Sequence, residues 1–365
     1  GSLPKKPGER GRGRSFSRMT ADGEETPLPE RARSSCAALV ALAGELPARL
    51  DDAAVASYAR SLDVAAVKRL GASLASDANA TRADASFASV DQEAALILLM
   101  HALDFGGGWR RALHSYHGKG AWLTVKPGVE AIFVERPDLS TAWLSSLTFT
   151  EVARLFRLDG EGAGPLAGFA ERLAAVCNEV GRSLHGRGFE TVEAWLGERL
   201  SAHSRSAAPA AALVRDFVAT FPYTFDDRHT FRGMEVCFFK KAQLVVGELF
   251  HRFRAEDPRF RFSDGHRLTA FIDNVICAVC RKLGAVALSP ALAAAIDAHE
   301  ELPSGSEGEV ALRAASLCAV EAIAGLRAED GLTPVELGNY FWGHLGKEPE
   351  FRAFTRHATR DTVFY

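Results

Sequence analysis

Two adjacent lysines and one isolated aspartate stand in surroundings that suggest chemistry. Lys240 and Lys241 fall near the start of a helix predicted over 236–254, where the helix dipole favours acids over ammonium groups. This conflict hints at an anionic ligand, although a solvated lysine pair on an exposed helix face would give the same pattern. Asp273 lies in a nearly uncharged apolar run, predicted to be a helix over 269–283. Partial burial of its carboxylate costs free energy, so Asp273 is either a structural hydrogen-bond hub or a functional acid.

A glycine-rich turn and an acid–base pair supply further candidates. The string ALDFGGGW (102–109) ends a helix whose start is marked by Ser89 and Gln92. Its three glycines either form a simple turn or let the backbone approach a ligand closely. Glu309 and Arg313 stand four positions apart, a spacing that predicts an ion pair within one helix.

Two segments near the end of the sequence combine aromatic and basic residues. The string NYFW (339–342) offers rings that could pack as core or stack on a planar base. The last stretch carries Arg352, Arg356, His357 and Arg360 before a final Phe-Tyr pair. The pattern alone is typical of a solvated tail.

Several catalytic and metal-binding patterns do not occur in the sequence. It contains no glycine-rich dinucleotide or P-loop motif, no GxSxG and no HExxH. His114 and His117 have no obvious third ligand, and the CxxC of Cys277 and Cys280 lies in an apolar helical run without a second pair. The sequence therefore predicts neither a metal site nor a cofactor.

Composition bounds the class of protein and its partners. Of the 365 residues 47% are apolar and 24% charged, and the net charge is −3. This is the ordinary globular balance, and it provides no bulk positive field for a long polynucleotide. The longest apolar run, 94–100, is too short to cross a membrane. Six cysteines without a secreted-domain pattern indicate buried thiols in a reducing, cytoplasmic compartment.

The hydrophobic pattern predicts an all-α fold. Residues 1–33 lack periodicity and are predicted to be a disordered tail, followed by a single helical domain over 34–365 that could divide into two lobes. A short β-hairpin is predicted around 121–135, because apolar segments flank Pro127 and Gly128. Further helices are predicted over 164–184, 191–201, 208–220, 290–298, 307–326 and 333–345.

An ordered set of motifs resembles the queuosine salvage family. The strings are FFKKAQLVVGELF (238–250), LTAFIDNV (268–275), LGAV (283–286), EVALRAASL (309–317), NYFW (339–342) and TVFY (362–365), with weaker likeness at 102–109 and 145–156. Together they cover roughly residues 90–365. Position 104 is Asp where the family usually carries Asn, and the family's early histidine has no clear counterpart, His101 being the only histidine before Asp104.

The resemblance implies a helical fold like that of helical DNA glycosylases and hydrolysis of queuosine 5′-phosphate to queuine and ribose 5-phosphate, without a cofactor. Departure of the base builds positive charge at C1′, which would need a carboxylate, and Asp273 is the candidate as nucleophile, stabiliser or base. Lys240, supported by Lys241, suits the 5′-phosphate, and Arg360 or His357 could add a second phosphate contact. The full set of substrate-binding candidates comprises Lys240, Lys241, Phe271, Asn274, Asp104, Phe105, Trp109, Glu309, Arg313, Trp342, His357, Arg360 and Tyr365.

The expected partner is therefore one small nucleotide, bound by a monomer or weak dimer. A helical protein that binds a modified base without catalysis, and a glycosylase for another nucleotide monophosphate, are the alternatives. A plain helical scaffold is a third, and it predicts a solvated Lys240 and an Asp273 that faces no pocket.

Overall fold

Apolar residues that recur every three or four positions give this chain its helices, and a computed structural model describes residues 26–78 and 87–365. This part is mainly helical, with two short antiparallel strand pairs, so the predicted all-α class is confirmed. The predicted disordered tail ends too late, because α1 begins at Leu28 with Pro29 in its first turn and buries Ala32 completely. The remainder of that prediction, residues 1–25, lies outside the described residues.

Most elements follow one another with connections of a few residues, and the stretch 254–273 between two helices is much longer. In chain order they are α1 (Leu28–Val40), β1 (Ala48–Leu50), α2 (Asp52–Ser61), α3 (Val64–Ala78), α4 (Val90–Ala102), α5 (Arg110–His117), α6 (Ala121–Glu135), α7 (Thr141–Ser146), α8 (Phe149–Leu155), α9 (Ala167–His185), α10 (Val192–His203), α11 (Pro209–Thr220), α12 (Pro222–Phe225), β2 (Arg228–Phe231), β3 (Met234–Cys237), α13 (Lys240–Phe253), α14 (Asn274–Lys282), β4 (Val286–Leu288), α15 (Pro290–Asp297), α16 (Glu307–Leu326), α17 (Pro334–Gly343) and α18 (Pro349–Arg352).

The predicted hairpin over 121–135 is wrong, because this range forms helix α6 with Pro127 inside it. Val125, Val129 and Ile132 follow the helical spacing and are completely buried, so packing on one helical face outweighs the turn signal of Pro-Gly. Within the described residues, a hairpin lies elsewhere. It joins β2 to β3 through Arg232 and Gly233, which both have positive φ values of 46° and 81°, as a tight two-residue hairpin turn requires.

Two helices begin later than their patterns predict. Helix α13 begins at Lys240 rather than at 236, because Val236 and Cys237 belong to β3. Helix α14 begins at Asn274 rather than at 269, and Asp273 is its N-cap. The other predicted helices agree with α9, α10, α11, α15, α16 and α17 within a few residues, and α16 agrees at both ends.

The hydrophobic core consists of two clusters, and their boundary crosses the segments singled out from the sequence. Phe239 and Phe271 pack in one cluster, whereas their neighbours Phe238 and Ile272 pack in the other. The strand pair of β1 and β4 belongs to the second cluster, with Ala48 and Val286 buried there. The starts of α13 and α14 therefore meet between two packed cores, where a cavity can form. The predicted division into lobes stays a prediction.

None of the helices in residues 26–78 and 87–365 is both long and apolar enough to cross a membrane.

Candidate active site

Two adjoining cavities lie at the starts of α13 and α14. The wide cavity has a volume of about 470 Å³ and the narrow one about 80 Å³. They share part of their walls, formed by Asp104, Trp122, Lys240, Asp273 and Trp342. Lys240 and Asp273, which the sequence analysis paired, therefore line the same space.

Asp273 both caps a helix and faces this space. Its Oδ1 accepts hydrogen bonds from the backbone N–H groups of Val275 and Ile276, each at 2.9 Å, as expected of an N-cap aspartate. No described group donates to Oδ2. Burial raises the pKa of Asp273, and the nearby Lys240 ammonium opposes that rise. The residue is thus a hydrogen-bond hub, and it also presents one carboxylate oxygen to the cavities.

Lys240 is buried and paired. Only 5% of its surface is exposed, and its Nζ lies 2.7 Å from Oδ2 of Asp104. Burial would raise the pKa of Asp104, but the Lys240 ammonium, together with His101 and Lys241, lowers it below its usual range. A solvated lysine pair is therefore excluded.

Lys241 points away from both cavities. Its Nζ donates to the carbonyl of Ala102 at 2.6 Å and lies 5.2 Å and 5.7 Å from the ring centres of Phe105 and Phe225. Burial lowers its pKa to about 7. Lys241 supports the wall behind Lys240 and does not reach the space that a ligand would fill.

The glycine-rich turn after α4 brings Asp104 and Phe105 to the wide cavity. Gly106 has a φ of 111° and donates its N–H to the carbonyl of Tyr365 at 3.1 Å. This conformation suits glycine because a side chain there would be strained. An added Cβ at Gly107 would lie 2.6 Å from Nδ2 of Asn274, so the turn and the start of α14 are in close contact.

Aromatic rings and polar edges form the narrow cavity. Phe271 and Trp342 lie in its wall, and Trp122 stacks on His101 with ring centres 6.0 Å apart and an angle of 10°. Burial lowers the pKa of His101 to about 4, and its Nδ1 has no hydrogen-bond partner among the described residues. Glu248, His251 and Asn339 add polar groups to the same cavity. A planar heterocycle with polar edges suits such a space.

Three arginines line the wide cavity, and none of them forms an ion pair with a carboxylate in the described part of the chain. Arg110 lies on α5, Arg352 on α18 and Arg356 just beyond it. Burial and the neighbouring Arg110 lower the pKa of Arg356 to about 10, and its buried Nε has no described acceptor. Burial and Arg352 likewise lower the pKa of Arg110. Like charges this close favour an anionic ligand.

No pattern in the sequence indicated this arginine cluster. Arg352 and Arg356 were assigned to a solvated tail, and Arg110 carried no local signal because its partners lie far along the chain. Lys119, Lys347 and His114 also line the wide cavity. The Nε2 atom of His114 is buried and has no hydrogen-bond partner among the described residues.

All the site residues predicted from the sequence divide into two groups, those that line a cavity and those that do not. Residues that line a cavity are Asp104, Phe105, Lys240, Phe271, Asp273, Asn274, Trp342 and Tyr365. Those that line neither cavity are Trp109, Lys241, Glu309, Arg313, His357 and Arg360. Arg360 pairs with Glu301 at 2.9 Å and lies over the Trp109 ring. The predicted ion pair of Glu309 and Arg313 is confirmed at 3.2 Å.

The last residues of the sequence are packed rather than solvated. Only 3% of His357 and 4% of Tyr365 is exposed, which contradicts the solvated-tail interpretation. Burial lowers the pKa of His357 to about 3, and its Nε2 lies 3.3 Å from the Tyr365 hydroxyl.

In residues 26–78 and 87–365, no group of three His, Cys, Asp or Glu side chains could hold a metal ion. Cys277 and Cys280 are free and buried.

The sequence matches proteins of one family. The family model for the queuosine salvage protein matches residues 90–365. A queuosine 5′-phosphate N-glycosylase/hydrolase of Sphaerobacter thermophilus is 31% identical over 248 residues, which is 67% of this chain and 72% of that protein. Proteins of the same name from Dictyostelium discoideum and Mus musculus are 28% identical over 162 residues and 27% identical over 204 residues. These matches cover 44% and 56% of this chain, and 50% and 57% of the respective relatives. The chain therefore belongs to the queuosine salvage protein family.

Proposed function

We propose that this protein hydrolyses the N-glycosidic bond of queuosine 5′-phosphate and releases queuine and ribose 5-phosphate. The names of its relatives support this activity. The observation that carries it is the position of Asp273, which lies on the shared wall of an aromatic cavity and an arginine-lined cavity. In this arrangement the base would meet the aromatic cavity, the ribose would lie at Asp273 and the phosphate would meet the arginines.

The bond that breaks joins C1′ to a ring nitrogen of the base. Its electron pair leaves with the base, the nitrogen system gains a proton, and positive charge develops at C1′. A water oxygen then bonds to C1′ and loses a proton to a carboxylate. Oδ2 of Asp273 serves this carbon as nucleophile, as electrostatic stabiliser or as the base for water. All three roles release queuine and ribose 5-phosphate, but a nucleophile retains the configuration at C1′, whereas a base for water inverts it.

The base would insert one edge into the narrow cavity and extend into the adjoining wide cavity, because about 80 Å³ is too small for a whole queuine. Queuine is a 7-deazaguanine and has no N7 to protonate. Protonation or hydrogen bonding that assists its departure must therefore occur at other edges of the ring system. Phe271 and Trp342 offer faces for stacking, and the Glu248 carboxylate can accept from N–H groups. His101, kept neutral by burial, adds a polar edge to the same cavity.

We assign the 5′-phosphate to Arg110, Arg352 and Arg356 rather than to Lys240. The Lys240 ammonium already has Asp104 as its counterion, whereas the three guanidinium groups have no described carboxylate partner. A phosphate dianion would relieve their mutual repulsion and accept paired hydrogen bonds from them. This assignment leaves Lys240 beside the sugar, within reach of Asp273.

The partner is thus one small nucleotide and not a polynucleotide, which agrees with the net charge of −3. We propose that the protein acts as a monomer or weak dimer in the cytoplasm. Its six cysteines, all free, are in keeping with a reducing compartment.

The test is a substrate panel analysed by chromatography of the released base. Queuosine 5′-phosphate should be cleaved, while queuosine without phosphate and guanosine monophosphate should react far more slowly. Equal turnover of guanosine monophosphate would contradict the assignment of the base. Tight binding of queuosine 5′-phosphate with no release of queuine would favour a non-catalytic binding protein.

A further inference from the structure

A fully buried arginine stands behind the cavities without touching them. Arg313 is completely buried, and its guanidinium lies between the rings of Phe238 at 3.9 Å and Tyr365 at 4.5 Å. It donates to both carboxylate oxygens of Asp227, at 3.0 Å and 2.5 Å, and to Glu309 at 3.2 Å. We call Asp227, Glu309 and Arg313 the ionic cluster.

One connection runs from the ionic cluster to the glycine-rich turn. The Tyr365 hydroxyl donates to Oε1 of Glu309 at 3.0 Å, and its ring rests on the Arg313 guanidinium. The carbonyl of Tyr365 accepts the N–H of Gly106 at 3.1 Å. Asp104, two residues before Gly106, is the counterion of Lys240.

A second connection runs to the start of α13. The N–H of Phe238 donates to the carbonyl of Asp227 at 3.0 Å, and the Phe238 ring packs on Arg313. Phe239 follows with a φ of 51°, a left-handed conformation that is uncommon without glycine and must be held by its surroundings. Lys240 is the next residue. The ionic cluster therefore contacts the supports of both members of the Lys240–Asp104 pair.

Stability alone is a weak reason to bury these charges. Replacing a buried ionic group by apolar side chains of similar volume is often neutral or stabilising, because the charges lose their hydration. A buried arginine that makes bidentate hydrogen bonds does, however, fix the orientation and distance of its partner groups more narrowly than apolar contacts do.

We propose that Arg313 is a positioning residue, which holds the Lys240–Asp104 pair in register with Asp273 through Tyr365 on one side and Phe238 on the other. This inference rests on the proposed function. It predicts that the ionic cluster affects the rate of bond cleavage more than it affects binding of the nucleotide, since a misplacement of about 1 Å can cost about 100-fold in rate.

The test removes all three charges of the ionic cluster together. Asparagine at 227 can still accept a hydrogen bond from His229, whose Nε2 lies 3.0 Å from Oδ1 of Asp227. The variant combines Asp227→Asn, Glu309→Gln and Arg313→Met, and Arg252→Met with Glu93→Gln is its matched control. Arg252 and Glu93 form a partly buried bidentate pair, at 2.7 Å and 3.0 Å, and Arg252 also bonds the exposed Glu256 at 2.7 Å. Neither Arg252 nor Glu93 lines a cavity. In the triple variant kcat should fall about 10- to 100-fold with KM changed less than about 3-fold. The control should keep kcat within about 2-fold.

Hydrogen exchange provides a readout that does not depend on activity. The amides of the turn at 104–109 should exchange faster in the triple variant than in the wild type or the control, because Tyr365 no longer holds Gly106 firmly. Unchanged exchange there, or a triple variant with full kcat, would overturn the proposal.

Tyr365→Phe decides the question if the triple variant does not fold. It keeps the ring on Arg313 and removes the hydroxyl, which donates to Glu309 and lies 3.3 Å from Nε2 of His357. A lower kcat with unchanged KM is expected, and an unchanged kcat would contradict the proposal. Absence of turnover by the wild-type chain would instead contradict the proposed function, and the exchange measurement would still test the positioning.

Discussion

The Nζ atom of Lys240 lies 2.7 Å from Oδ2 of Asp104, and this ion pair forms part of the wall of both cavities. The carboxylates of Asp104 and Asp273 both belong to this wall. Lys240 lowers the pKa of Asp104 despite its burial, whereas burial raises the pKa of Asp273. Two carboxylates whose pKa values are shifted in opposite directions by their environments are suited to different roles in one reaction.

Asp273→Asn should abolish most of the activity without unfolding the protein. Asparagine can still cap α14 by accepting from Val275 and Ile276, but it carries no charge for C1′. We expect kcat to fall by about 100- to 10,000-fold, measured as queuine released from queuosine 5′-phosphate. Asp51→Asn is the matched control, since Asp51 caps α2 through the N–H of Ala54 at 2.9 Å. It should retain full activity, and an active Asp273→Asn would remove Asp273 from the mechanism.

Activity should decline at acid pH as Asp273 becomes protonated. Burial raises the pKa of this residue above its ordinary value of 3.8, and only the ionised form can serve C1′. The acid limb of kcat against pH should therefore lie above pH 3.8. A rate that stays constant down to that pH would show that ionised Asp273 is not required.

The same shift predicts how stability depends on pH. Between its ordinary and its raised pKa, Asp273 binds more protons in the folded state than in the unfolded state, so stability falls as pH rises through this window. The loss is complete above the raised pKa and absent below pH 3.8. Asp273→Asn lacks this loss, so its Tm should exceed that of the wild type at neutral pH, and the difference should shrink as the pH is lowered. Scanning calorimetry over a pH series would measure it.

Arg356→Met should lower kcat/KM for queuosine 5′-phosphate, because one of the proposed phosphate ligands is lost. A hydrogen bond to a charged group contributes about 1.5–3 kcal/mol, which corresponds to a loss of about 10- to 100-fold in kcat/KM for queuosine 5′-phosphate. Arg360→Met is the control, because Arg360 pairs with Glu301 and lines neither cavity. Its kcat/KM should change less than about 3-fold. Equal losses in the two variants would contradict the assignment of the phosphate to the arginine cluster.

Lys240→Met should destabilise the fold more than Asp104→Asn does. Removing the ammonium leaves the Asp104 carboxylate without its counterion, at a cost of about 1–3 kcal/mol in the free energy of unfolding. Asparagine at 104 can still accept from Lys240, so that variant should lose less than about 1 kcal/mol. Urea unfolding would measure both, together with the double variant.

The double variant distinguishes stability from chemistry. Combining Lys240→Met with Asp104→Asn should recover most of the stability, because no charge remains unpaired, while activity stays low. Recovery of both would show that the pair is needed for folding alone.

Much of the helical structure could be predicted because it depends on local contacts. The apolar spacing in 307–326 predicts both ends of α16 correctly, and the Glu309–Arg313 ion pair forms within this helix. Lys240 and Asp273 also stood out in the sequence, because lysines at a helix start and an acid in an apolar run are unusual. Side-chain chemistry and short-range periodicity are properties of the sequence itself. They sufficed to predict the fold class and to single out these two residues, whose roles stay predictions.

Long-range packing decided the rest. Whether 121–135 forms strands or a helix depended on the core that its apolar face meets, and the start of α14 depended on Asp273 turning back as a cap. The phosphate candidates changed for the same reason. His357 and Arg360 lie beside Arg352 and Arg356 in sequence, yet only the latter two join Arg110 at the wide cavity. A sequence supplies charges, but only the tertiary structure determines which charges share a space, because that depends on contacts between residues far apart along the chain.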